Sequence, residues 1–189
     1  GNVTGVITLS DGSNNAMYNW SLASPRGEIF ASMNNSINWN RVQCFNYTAN
    51  GSMGAVGETA GGTNLAGVNL SRLETMFNIS SDDVDGVNET FLYLGLGGHD
   101  KFYVNNLEFN SGECVNARIF DGTGQGSDGN FEEVLLYEPV TASIIFTSIL
   151  ERDLTGFDQV THDFEMLVLE NGHGANTDAT TYFFYVELN

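Results

Sequence analysis

Eight asparagines stand in Asn-x-Ser/Thr triplets, the acceptor sequence for N-linked glycans in exported proteins. All eight lie within the first 90 residues, whereas the other 99 residues contain eight asparagines and no triplet. The composition of those 90 residues would give roughly 2.6 triplets by chance, about a third of the number present. We therefore predict glycans on the N-terminal half of the chain, with a loop composition rich in Asn, Ser and Thr as the alternative. The predicted sites are Asn2, Asn19, Asn34, Asn46, Asn50, Asn69, Asn78 and Asn88.

Two cysteines, Cys44 and Cys114, are the only ones in the chain, so one intrachain disulfide is possible. An exported protein folds in an oxidising compartment, which favours the bond over two free thiols. Closing a loop of about 70 residues would stabilise the fold by ~3–5 kcal/mol on the chain-entropy model. Two buried free thiols are the alternative.

Two acidic stretches hold hard oxygen ligands at spacings that suit calcium. The second follows the one, three, five, six, twelve spacing of an EF-hand loop, but Thr123 and Gln125 stand where acids are usual and strands are predicted on both sides. Solvated turn acids between strands are the alternative for both stretches. The candidate calcium ligands are Asp82, Asp83 and Asp85 in the first stretch, and Asp121, Asp128 and Glu132 in the second.

Motifs for catalysis are scarce. The three histidines, His99, His162 and His173, form no pair at metal-ligand spacing, and the chain has no Gly-x-Ser-x-Gly nucleophile motif. An acid pair for glycoside hydrolysis is always imaginable among 24 carboxylates, so it carries no information. We expect a protein that is not an enzyme.

Charge excludes several classes of partner. The 189 residues include six Lys and Arg against 24 Asp and Glu, a net charge of −18. Such a surface repels phosphate backbones and anionic lipids, so nucleic-acid and membrane-surface roles are disfavoured. The 13 Phe, seven Tyr and two Trp are too many for a disordered acidic chain. No run approaches the length of a membrane span, and we expect a processed, mature chain.

The elements that must position these residues are mainly strands. Short alternating segments separated by Gly, Asn, Asp and Ser turns predict an all-β fold, a β-sandwich or jelly roll, over a single domain of residues 1–189. The predicted strands include residues 101–109, 131–137, 141–150 and 164–169. One short helix is expected near residues 70–78, where Leu70, Leu73, Met76 and Phe77 recur at helical spacing. Residues 50–88 are interpreted as an insertion in this domain or as a weak boundary.

The two ends of the chain carry the assembly hypothesis. Residues 2–9 alternate as a strand and could pair within their own sheet or complete the sheet of a neighbouring subunit. The C-terminal run 182–188 has aromatic residues on both faces, typical of a central strand, a sugar-stacking platform or an inter-subunit contact. The residues of the candidate assembly strand are Val3, Gly5, Val6, Ile7 and Leu9.

Three runs, 131–140, 163–172 and 182–188, resemble secreted β-rich surface proteins of archaea. The overall design is similar to extracellular fibre subunits of the TasA/camelysin and archaeal bundling-pilus type. The resemblance implies jelly-roll domains that are secreted with a cleaved signal and polymerise by donating an N-terminal strand, here residues 2–9. Archaeal type IV pilins instead keep an apolar N-terminal helix, which this sequence does not contain.

These observations predict an extracellular, glycosylated structural subunit of a filament or cell-surface layer, which assembles with copies of itself head to tail. The alternative is a carbohydrate-binding or adhesin domain, with calcium as a possible cofactor.

Overall fold

The computed structural model describes residues 26–45, 73–75, 77–80, 83–84, 86–92, 98–169 and 180–189. The fold is all-β, as predicted, and its sheets are antiparallel. The strands are β1 (Gly27–Ser32), β2 (Gln43–Cys44), β3 (Phe102–Val104), β4 (Leu107–Phe109), β5 (Asn116–Arg118), β6 (Glu132–Glu138), β7 (Ser143–Ile149), β8 (Leu154–Thr155), β9 (Thr161–His162) and β10 (Phe183–Leu188). A 3-10 turn covers Trp39–Arg41 and a short helix covers Val87–Thr90.

Six of these strands form one sheet in the order β10-β1-β7-β6-β2, and β5 also pairs with β6. Strands β2 and β5 both pair with the edge of β6 that faces away from β7. They occupy different parts of it: β2 pairs with Leu136 and Tyr137, and β5 pairs with residues 132–134. The seven-residue strands β6 and β7 are buried along nearly their whole length, which makes them the centre of the sheet. Hairpins β3–β4 and β8–β9 form two further small sheets.

Both faces of the large sheet are covered. Along β6, Leu135 and Tyr137 point into a first core cluster, and the alternate residues Val134 and Leu136 point into a second. The first cluster is closed by apolar side chains from the region between β2 and β3, namely Leu73, Phe77, Val87 and Phe91. The second is closed by the β3–β4 hairpin through Phe102, Val104 and Phe109.

The helix predicted near residues 70–78 is present in the part that the structure describes. Residues 73–75 are helical, and Leu73 and Phe77 are buried in the first core cluster. The helical turn ends at Asn78, which has a left-handed φ of 53°. The Ile79 N–H donates to the Glu74 carbonyl and the Asn78 N–H to the Thr75 carbonyl, the hydrogen-bond pair of a Schellman C-cap.

Within the described part of the chain, no helix has both the length and the apolar character of a membrane span. The proposed extent of the domain and the insertion at residues 50–88 stay predictions.

Candidate functional site

The disulfide prediction is confirmed. Cys44 and Cys114 are bonded, with their Cα atoms 5.0 Å apart and a separation of 70 positions in the sequence. The bond joins the end of β2 to the chain just before β5, so it fastens together the two short strands that share one edge of β6. The imidazole of His99 supports this junction, since its Nε2 accepts the Cys114 N–H at 2.9 Å and its Nδ1 donates to the Asp100 carbonyl at 2.7 Å. Burial lowers the pKa of His99, which keeps the ring neutral and Nε2 free to accept.

Replacing both cysteines by serine is expected to lower the free energy of unfolding by about 2–5 kcal/mol. Strands of two and three residues have few ladder hydrogen bonds of their own, so the crosslink contributes much of their attachment. Urea denaturation of the double variant and of the reduced wild type should give the same loss. Equal stability of the oxidised and reduced proteins would contradict this role.

Two predicted glycosylation sites can be described with their side chains. Asn78 is exposed at the C-cap just described. Asn34 is half-buried, and its Nδ2 donates to Ser143 Oγ at 2.9 Å while its Oδ1 accepts the Ser36 N–H at 2.9 Å. The backbone of Asn88 lies in the helix Val87–Thr90. Asn2, Asn19, Asn46, Asn50 and Asn69 lie outside the described residues. Glycosylation stays a prediction.

The structure does not gather the second set of calcium candidates around one point. Among the described residues, Asp121, Asp128 and Glu132 do not form a group of three ligand atoms close enough to hold one ion. The carboxylate of Asp121 instead accepts hydrogen bonds from the Thr123 N–H at 2.7 Å and from the Thr123 hydroxyl at 2.6 Å. These hydrogen bonds lower the pKa of Asp121. Asp128 lies 3.5 Å from the Arg118 guanidinium.

Glu132, the remaining member of that set, is buried and accepts hydrogen bonds from two backbone N–H groups. Its carboxylate accepts the Asp100 N–H at 2.5 Å and the Gly129 N–H at 3.1 Å, and burial raises its pKa. Of the first set, Asp83 is half-buried, whereas Asp82 and Asp85 lie outside the described residues.

Strand β10 is an edge of the large sheet within the described part of the chain. Among the residues that the structure describes, β10 pairs with β1 on one side and with no strand on the other. The proposed donor residues Val3, Gly5, Val6, Ile7 and Leu9 lie outside the described residues, so their place is not assigned.

The pairing register identifies which backbone groups of β10 point outward. The Asn189 N–H donates to the Arg26 carbonyl at 2.9 Å, so this pair is hydrogen-bonded across to β1. In an antiparallel ladder hydrogen-bonded and non-hydrogen-bonded pairs alternate. The N–H and C=O groups of every second residue therefore face away from β1. These outward-facing residues are Phe184, Val186 and Leu188.

The same edge exposes apolar side chains. Val186 is 39% exposed and Leu188 is 54% exposed. Both lie on the face of Phe184, which packs against the first core cluster. Natural edge strands are usually shortened, charged or interrupted by proline. Strand β10 has six residues with one charged side chain, Glu187, so little in it opposes pairing with another strand.

The attachment of β10 to β1 depends on a glycine. Gly27 lies opposite Leu188 and has a φ of 143°, a conformation that L-residues rarely adopt. A Cβ atom placed there would lie 2.0 Å from the Glu187 carbonyl oxygen. The two backbones therefore approach closely because this position has no side chain.

An acidic pair also crosses the β1–β10 boundary. Glu28 lies opposite Glu187 in the register, and its carboxylate accepts the Tyr103 N–H at 3.2 Å. Burial of Glu28, with repulsion from Glu187 as a further cause, raises its pKa to about 7.

A groove of about 770 Å³ lies beside β10 and is lined by aromatic and amide side chains. The rings of Trp39 and Tyr185 meet edge to face with centroids 4.9 Å apart. The Asn105 N–H donates to both Glu187 carboxylate oxygens at 3.0 and 2.9 Å, and its Nδ2 donates to Asn40 Oδ1 at 2.7 Å.

Sequence reasoning pointed to the aromatic strand 182–188 but not to its neighbours in the groove. Trp39 lies between two asparagines in the sequence, a polar setting for a large ring that could have drawn attention to it. Asn105 gave no signal, because the hairpin that brings it beside β10 was not anticipated. The chain matches no protein-family model, no curated protein and no solved structure.

Proposed function

We propose that this protein is a structural subunit of an extracellular filament or cell-surface layer, and that β10 is the edge at which a strand of the next subunit is added. The observation that carries the proposal is the open edge of β10, with outward backbone groups at Phe184, Val186 and Leu188. In β-strand addition, main-chain hydrogen bonds supply affinity, and alternate side chains supply specificity.

The proposed donor is residues 2–9 of another copy. Their alternation places Gly5, Ile7 and Leu9 on one face, which suits the exposed apolar surface of Val186 and Leu188. Each new backbone hydrogen bond is worth about 0.5–1.5 kcal/mol net. Because donor and acceptor are different surfaces of the chain, the contact is heterologous and extends into a fibre when it does not close into a ring.

The charge of the subunit sets the conditions for assembly. Copies with a net charge of −18 repel one another, and added salt screens that repulsion over about 8–10 Å. Assembly is therefore expected to strengthen between low salt and physiological ionic strength.

Lysine at position 186 is expected to abolish assembly while leaving the fold intact. Val186→Lys places a charged side chain on the open edge, a device that natural sheets use to prevent strand addition. The side chain is partly exposed, so the cost to the subunit itself should be small. Electron microscopy and sedimentation of purified protein measure the outcome.

Val84→Lys is the matched control because Val84 is 90% exposed and lies outside the strands. A third variant lacking residues 1–10 tests the donor. Filaments that persist in Val186→Lys would refute β10 as acceptor. Filaments that persist in the deletion would refute residues 2–9 as donor.

The groove supports a second candidate, a carbohydrate-binding or adhesin function. Its supporting observation is an aromatic pair, Trp39 and Tyr185, beside exposed amides, a combination that stacks on a sugar ring and bonds its hydroxyls.

Trp39→Phe is expected to weaken binding of oligosaccharides at least several-fold, since the smaller ring offers less stacking surface. Glycan-array binding, followed by titration of the best ligand, measures the change. Phe120→Leu provides the matched control, because Phe120 is an aromatic residue that is 60% exposed and does not line the groove. Identical profiles for the wild type and both variants would remove this candidate.

A further inference from the structure

Three potential metal ligands converge around the β8–β9 hairpin. Asp158 lies in the hairpin loop, His162 ends β9, and Glu165 follows in the next segment. One ligand atom from each lies within 4.8 Å of the other two. His162 Nε2 is 2.9 Å from Asp158 Oδ1.

Backbone groups of the loop orient the two carboxylates. The Val160 N–H donates to Asp158 Oδ1 at 2.9 Å, and the Phe157 N–H donates to Glu165 Oε1 at 3.1 Å. Outer hydrogen bonds of this kind fix ligand orientation in metal sites. The loop is itself closed by a hydrogen bond of 2.8 Å from the Gly156 N–H to the Val160 carbonyl.

One oxygen of the group has no partner. Glu165 Oε2 is inaccessible to solvent and accepts no hydrogen bond in the described structure. A buried polar atom left in this way costs about 1–3 kcal/mol, and such exceptions in folded proteins need a cause.

The loop keeps space free beside the ligands. A Cβ atom at Gly156 would lie 2.1 Å from Glu165 Oε1 and 2.6 Å from His162 Cδ2. The φ of Gly156 is not in the left-handed region, so backbone conformation does not require glycine there. The absence of a side chain instead lets Glu165 and His162 approach one another.

We propose that Asp158, His162 and Glu165 bind a divalent transition-metal cation, and that zinc is the best-fitting ion. Imidazole and carboxylate ligands together suit zinc, whereas calcium prefers oxygen ligands alone. Ligands bound ~2.0–2.1 Å from zinc stand about 3.3 Å apart in a tetrahedron. Small side-chain adjustments complete the site, in which His162 Nε2 and Asp158 Oδ1 move slightly apart from their 2.9 Å separation and Glu165 moves inward. A fourth position stays open to water.

The ion would fasten two parts of the fold. Asp158 and His162 belong to the small hairpin, whereas Glu165 precedes Met166 and Leu169, which pack against the first core cluster. The cation would tie the hairpin to this packed segment and offset part of the negative charge of the chain.

Isothermal titration of chelator-treated protein with ZnCl₂ tests the proposal. The wild type is expected to bind one zinc ion with micromolar or better affinity and to bind CaCl₂ at least tenfold more weakly. His162→Asn and Glu165→Gln should each reduce zinc affinity at least tenfold. The matched control Glu108→Gln, which changes an exposed carboxylate outside this group, should leave zinc affinity unchanged. Circular dichroism of each metal-free variant verifies that the fold is retained.

Two further measurements separate this site from unspecific binding. Cobalt(II) should give visible d–d absorption in the wild type that disappears in His162→Asn, and Gly156→Ala should weaken zinc binding without removing any ligand. Zinc affinity that is the same in the wild type, His162→Asn and Glu165→Gln would overturn the proposal. Calcium binding tighter than zinc and insensitive to His162→Asn would overturn it as well.

Discussion

Gly27→Ala is expected to detach β10 from the sheet and to lower the free energy of unfolding by about 3 kcal/mol or more. The added methyl group would meet the Glu187 carbonyl at 2.0 Å, and alanine at a φ of 143° is strained even without that contact. Relieving the clash between the added methyl group and the Glu187 carbonyl requires the backbones of β1 and β10 to separate. The apolar side chains that β10 holds against both core clusters, Phe184 and Tyr185, would then lose their packing.

Gly124→Ala provides the matched control for backbone strain. Gly124 has a φ of 74°, but a Cβ atom there meets nothing within 4 Å. Its substitution should cost only about 1–2 kcal/mol, the penalty of a left-handed conformation. Urea denaturation compares the two variants, and hydrogen exchange of the β10 amides shows whether the loss is local. Equal losses in both variants would mean that the close approach at Gly27 contributes nothing beyond its φ.

Raising the pH from 5 to 8 is expected to destabilise the protein, with a fall in Tm of about 5 °C or more. Burial raises the pKa of Glu28 and of Glu151 to about 7, and the pKa of fully buried Glu133 lies well above its usual range. A carboxyl group with a raised pKa in the folded state binds its proton more tightly there than in the unfolded chain. For Glu28 and Glu151 this contribution is therefore complete below about pH 4.5 and is lost as the pH rises through 7.

His99 makes the protein more stable as the pH rises, which is opposite to the effect of these carboxyl groups. Burial lowers its pKa, so its contribution is present above about pH 6.5, its unfolded value, and is lost as the pH falls. A single histidine opposes these three carboxyl groups together with Glu132 and Glu165, whose pKa values burial also raises. The net change between pH 5 and pH 8 therefore keeps the sign of the carboxyl groups.

Glu28→Gln should remove part of this pH dependence. The amide still accepts the Tyr103 N–H but has no charge to bury, so the variant should exceed the wild type in Tm at pH 8 and match it near pH 5. Glu108→Gln is the control, since Glu108 is exposed, pairs with Lys101 at 3.0 Å and has a lowered pKa. Differential scanning calorimetry at both pH values measures these effects. A Tm that rises with pH in the wild type would contradict the assignment.

Alternation in the sequence was sufficient to locate the centre of the sheet. The predicted strands 131–137 and 141–150 correspond to β6 and β7, whose apolar residues alternate between the two core clusters. Residues 101–109, in contrast, were interpreted as one strand and form the β3–β4 hairpin. Asn105 adopts a left-handed φ of 54° and turns the chain, a conformation that asparagine tolerates better than most residues.

Contacts between distant segments explain what sequence reasoning missed. Residues 164–169 have strand-like composition but do not form a strand, because their polar groups bond to side chains such as Glu133, which accepts the Leu167 N–H. Burial of Glu28 within β1 follows from its neighbours across the sheet, which a local pattern does not reveal. Likewise, Asp158, His162 and Glu165 match no metal-binding motif, and a hairpin loop brings them together.

In the proposed filament, the short strands β2 and β5, fastened by the disulfide, would limit the number of contacts that each copy makes. At that end of the sheet the outer strands have only two and three residues, too few to template the addition of a further strand. Strand β10 is then the only described edge of the large sheet with an extended ladder to offer. Each copy would hold one acceptor and one donor, so a polymer grown this way is unbranched and has two chemically different tips. Capping the acceptor tip with a synthetic peptide of residues 2–9 would stop its elongation without dissolving chains already formed.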